Sequence, residues 1–365
     1  MYYYFVLNHP AHYHLFKYTI RDLKHHGHEC DIFIRPKDVL SKLLDRDEIN
    51  YIIIADSIRN KKGIHFQSIS GLIKKDFELT KYIKKRKPDL MIGTDWAITI
   101  LGRIFDIPSI VFNEDDTIAT PENKIFYPLA KNLVIPDCCD KGLWKNKRIS
   151  YAGYHELAYL HPKRFNFDYE IIKKHLNNNK PYILVRLVKL TASHDKGKKG
   201  LGFQLLDTII EKYKEQFLIL ISFEGEINTR YADYGFIFDP SLMHHFLAGA
   251  HLVIGDSQTM IAEAAVLGTP SIRFNDFVGK LSYLEDLEHV YDLTYGFKSN
   301  EKERFLLKID ELLITNDLKN RWQIKLRNMF KDKIDVTSFF TWLIENYPNS
   351  FRTIRENPDY QYKFK

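Results

Sequence analysis

The sequence predicts an α/β protein with two doubly wound parallel-sheet domains and a C-terminal helical segment. The chain has 365 residues, whereas a single domain usually has about 100 to 200. Short apolar runs alternate with longer amphipathic stretches, which is typical of a parallel sheet covered by helices on both faces. This alternation extends over the first 150 residues, lapses, and starts again near residue 180. We therefore expect two separate sheets.

Six strands are predicted in the first domain, at 2–7, 30–34, 51–54, 89–93, 108–112 and 132–135. A helix from about residue 12 to residue 26 should follow the first strand and end at Gly27, because glycine readily adopts the left-handed conformation that closes helices. Four strands are predicted in the second domain, at 181–186, 217–222, 251–254 and 270–274. The domains then span 1–160 and 161–334. The tail, 335–365, is predicted to be helical, and it could pack back onto the first domain or form a small separate cap.

Composition excludes several classes of protein. With 45% hydrophobic and 27% charged residues, the chain resembles an ordinary globular protein. A net charge of +6 is too small to indicate nucleic-acid binding, which needs positive charge concentrated on one face. The three cysteines, Cys30, Cys138 and Cys139, form no C-x-x-C pair, and this favours a reducing compartment. No window approaches the roughly 20 apolar residues of a membrane-spanning helix. We expect a cytoplasmic protein with no nucleic-acid partner.

A basic segment lies between Arg59 and Lys87, where ten lysines and arginines accompany two acids. Apolar residues at helical spacing within it predict a basic amphipathic helix over 68–86. Two interpretations stay open. The helix could face the core with a solvated basic back, or it could contact an anionic membrane, which would place the protein at the inner face of the cell membrane.

The stretch GDSQTMIAEAAVLGTPSI, 255–272, directly follows a predicted strand. Gly255 allows a close turn, and Ser257 is a suitable helix N-cap. The N–H groups of Gln258 and Thr259 would then face an anion such as a phosphate. Glu263 lies one turn further along the same helical face, where it could accept hydrogen bonds from sugar hydroxyls. The alternative is a structural cap and a glutamate paired with a lysine.

A second candidate loop, VRLVKLTASHDKGKKGLG, also follows a strand. Arg186 comes at the strand end, and the side chains that lead into the glycine-rich part are those of His194, Asp195 and Lys196. Such a loop could wrap an anionic group, although a lysine- and glycine-rich surface loop would have the same composition. It is not a P-loop, since G-x-x-x-x-G-K-[ST] is absent, and no G-x-G-x-x-G follows the first strand, so a nicotinamide cofactor is not expected.

The first domain offers its own catalytic candidates. In NHPAHYH, 8–14, His12 lies near a helix N-terminus, where the dipole lowers the imidazole pKa and favours a neutral base. A metal site is disfavoured because no set of ligands with zinc spacing accompanies these histidines. Asp95, Glu114 and Asp115 follow two predicted strands and could act as acid or base, although clustered acids are often merely solvated.

Five blocks together carry a resemblance to a known family: NHPAHYHLFK, FNEDD, YAGYHELAYL, VRLVKLTASHD and GDSQTMIAEAAVLGTPSI. In this order, over essentially the whole chain, they resemble the bacterial and archaeal family called domain of unknown function 354. Two departures are mild: one proline, Pro10, stands where two are common, and Ser257 stands where a second glycine is frequent. That family is similar to the glycosyltransferase-B (GT-B) superfamily of two Rossmann-like domains, and to the non-hydrolysing sugar-nucleotide 2-epimerases of the same fold.

The resemblance implies that the second domain binds a nucleotide diphosphate-sugar, UDP-linked, with Glu263 on the ribose. This molecule would be a substrate, and no other cofactor is implied. The residues expected to bind it are Arg186, His194, Asp195, Lys196, Gly255, Asp256, Ser257, Gln258, Thr259, Met260 and Glu263. By the same analogy His12, Asp95, Glu114 and Asp115 are catalytic candidates.

The leading hypothesis is a metal-independent GT-B glycosyltransferase of cell-surface polysaccharide or glycoconjugate biosynthesis. Its partners would be the nucleotide-sugar donor and a glycan or lipid-linked acceptor. The runner-up is a nucleotide-sugar 2-epimerase in which Asp95 and Glu114 exchange protons. The Gly-Gly-Ile-Gln-Glu-Glu run of those epimerases is absent, which favours transfer. A non-catalytic nucleotide-sugar-binding assembly factor is the third hypothesis.

Overall fold

A computed structural model describes residues 1–35, 39–54, 78–94, 97–121, 123–140, 143–144, 146–176, 178, 180–188, 200–225 and 227–365. The chain divides into two compact units, Met1–Tyr159 with Ile334–Lys365, and Leu160–Lys333. Each unit contains a parallel sheet with helices. The predicted fold class, two Rossmann-like α/β domains, is therefore confirmed.

The described part of the first unit contains a seven-stranded parallel sheet with the order β3-β2-β1-β4-β5-β6-β7. Its strands are β1 (Tyr2–Leu7), β2 (Glu29–Ile34), β3 (Ile52–Ile53), β4 (Leu90–Gly93), β5 (Ser109–Phe112), β6 (Asn132–Pro136) and β7 (Arg148–Tyr151). Six of them match the predicted runs. The sequence did not predict β7, because Arg148 and Ser150 interrupt its four residues and leave no apolar run.

Before the C-terminal segment, the described helices of the first unit are α1 (Pro10–His25), α2 (Leu40–Arg46), α3 (78–85), α4 (Ala97–Ile104), α5 (Asn123–Phe126) and α6 (Leu157–Leu160). The last of them, α6, reaches the boundary with the second unit. The side chain of His9 caps α1 by accepting the N–H of Ala11 at 3.2 Å. Gly27 has a φ of +84°, so the predicted left-handed stop after α1 is confirmed. Most of the predicted basic helix, 68–86, lies outside the described residues.

The second unit contains a five-stranded parallel sheet with the order β12-β11-β10-β8-β9. Its strands are β8 (Tyr182–Leu187), β9 (Leu218–Phe223), β10 (Leu252–Gly255), β11 (Ser271–Phe274) and β12 (Thr294–Phe297). The first four match the predictions. The sequence did not predict β12, a strand of four residues with two half-buried positions.

Seven helices of the second unit are described: α7 (Tyr169–His175), α8 (Phe203–Tyr213), α9 (Met243–Gly249), α10 (Gln258–Val266), α11 (Ser282–His289), α12 (Lys302–Ile314) and α13 (Leu318–Asp332). In α10 every residue from Met260 to Val266 is buried. Six of these seven residues are apolar and the seventh is Glu263, so most of α10 lies in the interior of the unit.

The C-terminal segment contains α14 (Val336–Glu345), α15 (Asn349–Glu356) and a 3-10 helix (Pro358–Phe364). It packs on the first unit, where the Phe340 ring lies 4.5 Å from that of Phe112 and the N–H of Ile334 donates to the Ala152 carbonyl at 2.9 Å. In the part of the chain that the structure describes, no helix is long and apolar enough to cross a membrane.

Candidate functional site

Each sheet has a point at which the strand order reverses, and ligands of doubly wound sheets bind at the carboxyl ends of the strands beside it. This switch point lies between β1 and β4 in the first sheet, and between β8 and β10 in the second. A Cβ atom on Gly93, at the end of β4, would lie 2.7 Å from the Val6 carbonyl oxygen. A Cβ atom on Gly255, at the end of β10, would lie 2.6 Å from the Arg186 carbonyl oxygen. Both positions need glycine, because a side chain would push the paired strands apart.

Helix α10 begins at Gln258, shortly after β10 ends at Gly255 beside the switch point of the second unit. Ser257 caps it by accepting the N–H of Met260 at 3.3 Å, so the predicted cap is confirmed. The N–H groups of Gln258 and Thr259 have no carbonyl partner within the helix, and both residues are half-exposed. These groups can bind an anion such as a phosphate. Met260, also predicted to bind the ligand, has a buried side chain and donates its N–H to the cap.

The carboxylate of Asp256, a predicted binding residue, has main-chain partners. Its oxygens accept the N–H of Val188 at 2.8 Å and that of Leu201 at 3.3 Å. One carboxylate therefore links the end of β8 to the chain before α8. Burial raises the pKa of Asp256 to about 6. A Cβ atom on Gly200 would lie 2.4 Å from Asp256 Oδ2, which explains the glycine there. We therefore assign Asp256 a structural role.

Glu263 is buried, with 5% of its surface exposed, rather than displayed on the helix surface. His244 Nε2 on α9 lies 3.1 Å from its carboxylate. The sequence alternative was a pair with a lysine, whereas the partner in the structure is a histidine. The spacing of residues in the sequence did not predict that His244 and Glu263 form a pair. An acid in an alanine-rich helix does require a polar partner, but the sequence did not say which one.

The Arg186 side chain points toward β9. Its guanidinium donates to Ser222 Oγ at 2.8 Å and to the Phe223 carbonyl at 3.4 Å. Burial lowers the pKa of this group. Arg186 therefore connects the ends of two neighbouring strands, and its contact with a diphosphate stays a prediction. The other predicted members of this loop, His194, Asp195 and Lys196, lie outside the described residues.

In the first unit, His12 follows the switch point on α1. Its Nδ1 accepts the main-chain N–H of Asn8 at 3.2 Å, and Thr94 Oγ1 lies 2.9 Å from the same nitrogen. Because Nδ1 accepts a hydrogen bond, the neutral ring carries its proton on Nε2. Thr94 Oγ1 also lies 3.0 Å from Nε2, which can donate to it in this tautomer. The role of His12 as a base stays a prediction. Asp95, the acid predicted after β4, lies outside the described residues.

Glu114 follows β5 and contacts the segment after β7. One carboxylate oxygen accepts the main-chain N–H of His155 at 3.1 Å, and the other lies 3.4 Å from His155 Nδ1. Burial, followed by the nearby charge of Glu156, raises the pKa of Glu114 well above its usual value. Burial also lowers the pKa of His155 to about 3. A carboxyl group with a raised pKa is suited to proton transfer near neutral pH.

The loops after β5 and β6 brace each other next to Glu114. The carboxylate of Asp140 accepts the N–H of Thr117 at 2.9 Å, and Asp116 Oδ1 accepts the N–H of Asp140 at 2.6 Å. Asp115, predicted as catalytic, is half-buried, and its carbonyl accepts a hydrogen bond from Asn113 Nδ2 at 2.7 Å. The contacts of these acids therefore shape the loop around Glu114. From the sequence alone, the acids could equally have been solvated surface residues.

The structure thus brings some predicted residues together within each unit. Gly255, Ser257, Gln258 and Thr259 form one group, and Glu114 lies with His155, which sequence analysis missed. His155 belongs to YAGYHELAYL, a block that carried the family resemblance but received no chemical role. Among the described residues, no group of three or more histidine, cysteine, aspartate or glutamate side chains is placed to hold a metal ion.

Comparison with known sequences places these features in context. The family model described as "Protein of unknown function (DUF354)" matches residues 3–292. A comparison with curated protein sequences gives no match.

Solved structures share the fold at low sequence identity. The co-structure of S. aureus MnaA with UDP has a TM-score of 0.67 and 12% identity, over 96% of this chain and 97% of that chain. The UDP-GlcNAc 2-epimerase from Neisseria meningitidis bound to UDP-GlcNAc has a TM-score of 0.57 and 14% identity, over 91% and 100%. The spinosyn rhamnosyltransferase SpnG has a TM-score of 0.62 and 14% identity, over 96% and 100%. These similarities show a GT-B-like fold and no more.

Proposed function

The chain belongs to the DUF354 family, and from this premise we propose that it is a GT-B glycosyltransferase that uses a UDP-linked sugar as donor. The observation that carries the proposal is the start of α10. There Gly255 closes the switch point, Ser257 caps the helix, and the half-exposed residues Gln258 and Thr259 have main-chain N–H groups without a carbonyl partner in the helix. Such a helix start suits a diphosphate. The names of two structures with the same fold mention UDP or UDP-GlcNAc, which supports the choice of donor.

In the proposed reaction, an acceptor hydroxyl attacks the anomeric carbon of the donor and the bond to the diphosphate breaks. The N–H groups of Gln258 and Thr259 stabilise the negative charge that develops on the leaving diphosphate. We propose that they take the place of a metal ion. The acceptor hydroxyl loses its proton to a general base. In the first unit the candidates are Glu114, whose raised pKa makes its carboxylate a stronger base than an exposed glutamate, and His12.

We propose Glu263 as the residue that binds the ribose hydroxyls, as the family resemblance implies. Replacing Glu263 with glutamine keeps an oxygen for His244 and removes the charge. Loss of a charge-assisted hydrogen bond costs about 1.5 to 3 kcal/mol, so donor affinity should fall roughly 10- to 150-fold. Glu211→Gln, an exposed glutamate of α8, is the matched control. Calorimetric titration that gives equal affinities for both variants would contradict the assignment of Glu263.

A nucleotide-sugar 2-epimerase is the second candidate function. The half-buried Glu114, with its raised pKa, fits proton exchange at a sugar carbon equally well. Proton NMR of the protein with a panel of nucleotide sugars in heavy water separates the two. Binding of one donor without exchange is the result expected for a transferase. Deuterium at sugar C2 with appearance of a second epimer would identify an epimerase, and absence of any binding would refute both proposals.

The acceptor belongs to the same proposal. We propose a glycan or lipid-linked acceptor of cell-surface polysaccharide or glycoconjugate assembly, reached at the inner face of the membrane through the basic segment. Such a protein should co-sediment with anionic vesicles and be released by salt. Sedimentation that is the same with neutral vesicles would argue against a membrane-bound acceptor.

A further inference from the structure

A buried pair of side chains connects α10 to the neighbouring helix α9 in the second unit. His244 Nε2 lies 3.1 Å from Glu263 Oε1, so the two side chains share a hydrogen bond. Only 8% of the His244 side chain and 6% of the Glu263 side chain are exposed. Buried carboxylates need hydrogen-bond partners, and this contact gives Glu263 a partner on the adjacent helix.

The chemistry of the two groups determines the direction of this hydrogen bond. An ionised carboxylate can only accept, so His244 donates from Nε2. A carboxylate has about four acceptor positions, and the contact with His244 takes one of them. Hydroxyl groups of a ligand can therefore donate to the same carboxylate while His244 sets its orientation.

Helix α9 is itself anchored, which makes His244 a fixed donor. The hydroxyl of Tyr182 on β8 donates to the main-chain carbonyl of Phe246 at 2.6 Å. The buried Phe246 ring packs against that of Phe236, with 4.8 Å between the centroids. The ring of Phe165 lies edge-on to that of His244 at 6.1 Å. These contacts hold the imidazole in place before any ligand binds, as a preorganised site requires.

Glu263 lies at a suitable distance along α10 for a nucleotide whose diphosphate binds at the start of this helix. It comes five residues after Gln258, which corresponds to about 7.5 Å along the helix axis. In a nucleoside diphosphate the ribose is joined directly to the diphosphate, so its hydroxyls can reach that depth. A glutamate without a partner would have to be ordered by the ligand, and ordering a side chain on binding costs affinity.

We propose that His244 is the positioning residue for Glu263, whose carboxylate it holds in the orientation that accepts hydrogen bonds from the ribose hydroxyls of the donor. The preference of the site for ribose over deoxyribose then depends on a residue that acts only through Glu263. This inference rests on the proposed function for the binding of a nucleotide, but it does not require transfer of the sugar.

The test compares the affinities of the full-length protein for UDP and for 2′-deoxy-UDP by calorimetric titration. Wild type should bind UDP about 10- to 150-fold more tightly, which is the value of one charge-assisted hydrogen bond. His244→Ala should reduce this ratio by about 2- to 13-fold, because the ligand must then order the carboxylate. His244→Gln should keep most of the ratio, since its amide N–H can still donate. A general loss of packing would weaken the binding of both ligands equally and leave the ratio unchanged.

Two further variants complete the experiment. His175→Ala, which removes an exposed histidine of α7, is the matched control and should leave the ratio unchanged. His244→Phe retains a ring without the donor, and it replaces His244→Ala if that variant does not fold. A ratio that is unchanged without the donor, but lower in Glu263→Gln, would overturn the positioning role and leave the proposed function standing.

The remaining outcomes separate this inference from the proposed function. Wild type that binds UDP and 2′-deoxy-UDP equally would overturn the inference, and wild type that binds neither would overturn it together with the proposed donor. A ratio that depends on His244, in a protein that neither transfers a sugar nor exchanges a sugar proton, would support the positioning role and contradict the proposed function.

Discussion

Replacing Gly255 with alanine tests the idea that the second switch point depends on close contact between β8 and β10. Gly255 pairs with Arg186 in the sheet, and the added Cβ would lie 2.6 Å from the Arg186 carbonyl oxygen, whereas ordinary contacts begin at 3.4 Å. The atoms must therefore separate by about 0.8 Å. The neighbour is main chain in a buried strand, so the strands themselves have to move. Overpacking of this kind costs about 1 to 3 kcal/mol.

The assay is thermal denaturation of the full-length chain, monitored by calorimetry. For a unit of this size each kcal/mol lowers the melting temperature by about 2 to 4 °C, so a fall of roughly 2 to 12 °C is expected for Gly255→Ala. Gly202→Ala is the matched control, because Gly202 has a φ of −79° and its Cβ would meet nothing within 4 Å. Alanine is a poorer N-cap than glycine, which lowers stability. This is offset by about 0.4 to 1 kcal/mol, because alanine makes the unfolded chain less flexible. Equal melting temperatures for the two variants would refute the reasoning.

Two further predictions concern charged groups that hold strand-end loops. Since the pKa of Asp256 is raised to about 6 from 3.8, the folded protein holds this proton more tightly than the unfolded chain, and stability is lost as the pH rises through that range. The stability of wild type relative to Asp256→Asn, measured by thermal melts at several pH values, should fall between about pH 4 and 6; a difference that is constant with pH would contradict this. Arg148 donates hydrogen bonds of 2.7 Å to Ser150 Oγ and to the carbonyls of Asp140 and Pro136. Arg148→Met should therefore cost about 2 kcal/mol or more in urea denaturation, and a loss no larger than that of the exposed Lys84→Met would argue against this brace.

Much of the fold could be predicted because its signals are local. A buried strand in a parallel sheet is a continuous apolar run, and ten such runs gave ten observed strands. Gly27 and Ser257 were predicted correctly because turn and cap chemistry depends on the residue itself and its immediate neighbours. The two missed strands, β7 and β12, have four residues each, too few for an apolar pattern to stand out. The family resemblance, carried by five blocks, was confirmed.

The candidate site could be predicted only in part, because residue type and spacing do not reveal side-chain partners. The sequence placed Gly255, Ser257 and Glu114 at strand ends, and the structure finds them there. It did not indicate that Asp256 is occupied by two main-chain N–H groups, or that Asn8 fixes the tautomer of His12. Depth below the surface was equally hidden, since Glu263 is buried.

The fold class, the order of strands and helices along the chain, the glycine turns and the family can all be predicted from the amino-acid sequence, because each follows from patterns of residues close in the chain. The order of strands within each sheet, and with it the two switch points, becomes known from the folded chain. The same holds for the pairs Glu114 with His155 and Glu263 with His244, which are 41 and 19 residues apart. Burial explains this difference. A carboxyl group acquires its proton affinity from the groups packed around it, and that packing exists only once distant strand ends have come together.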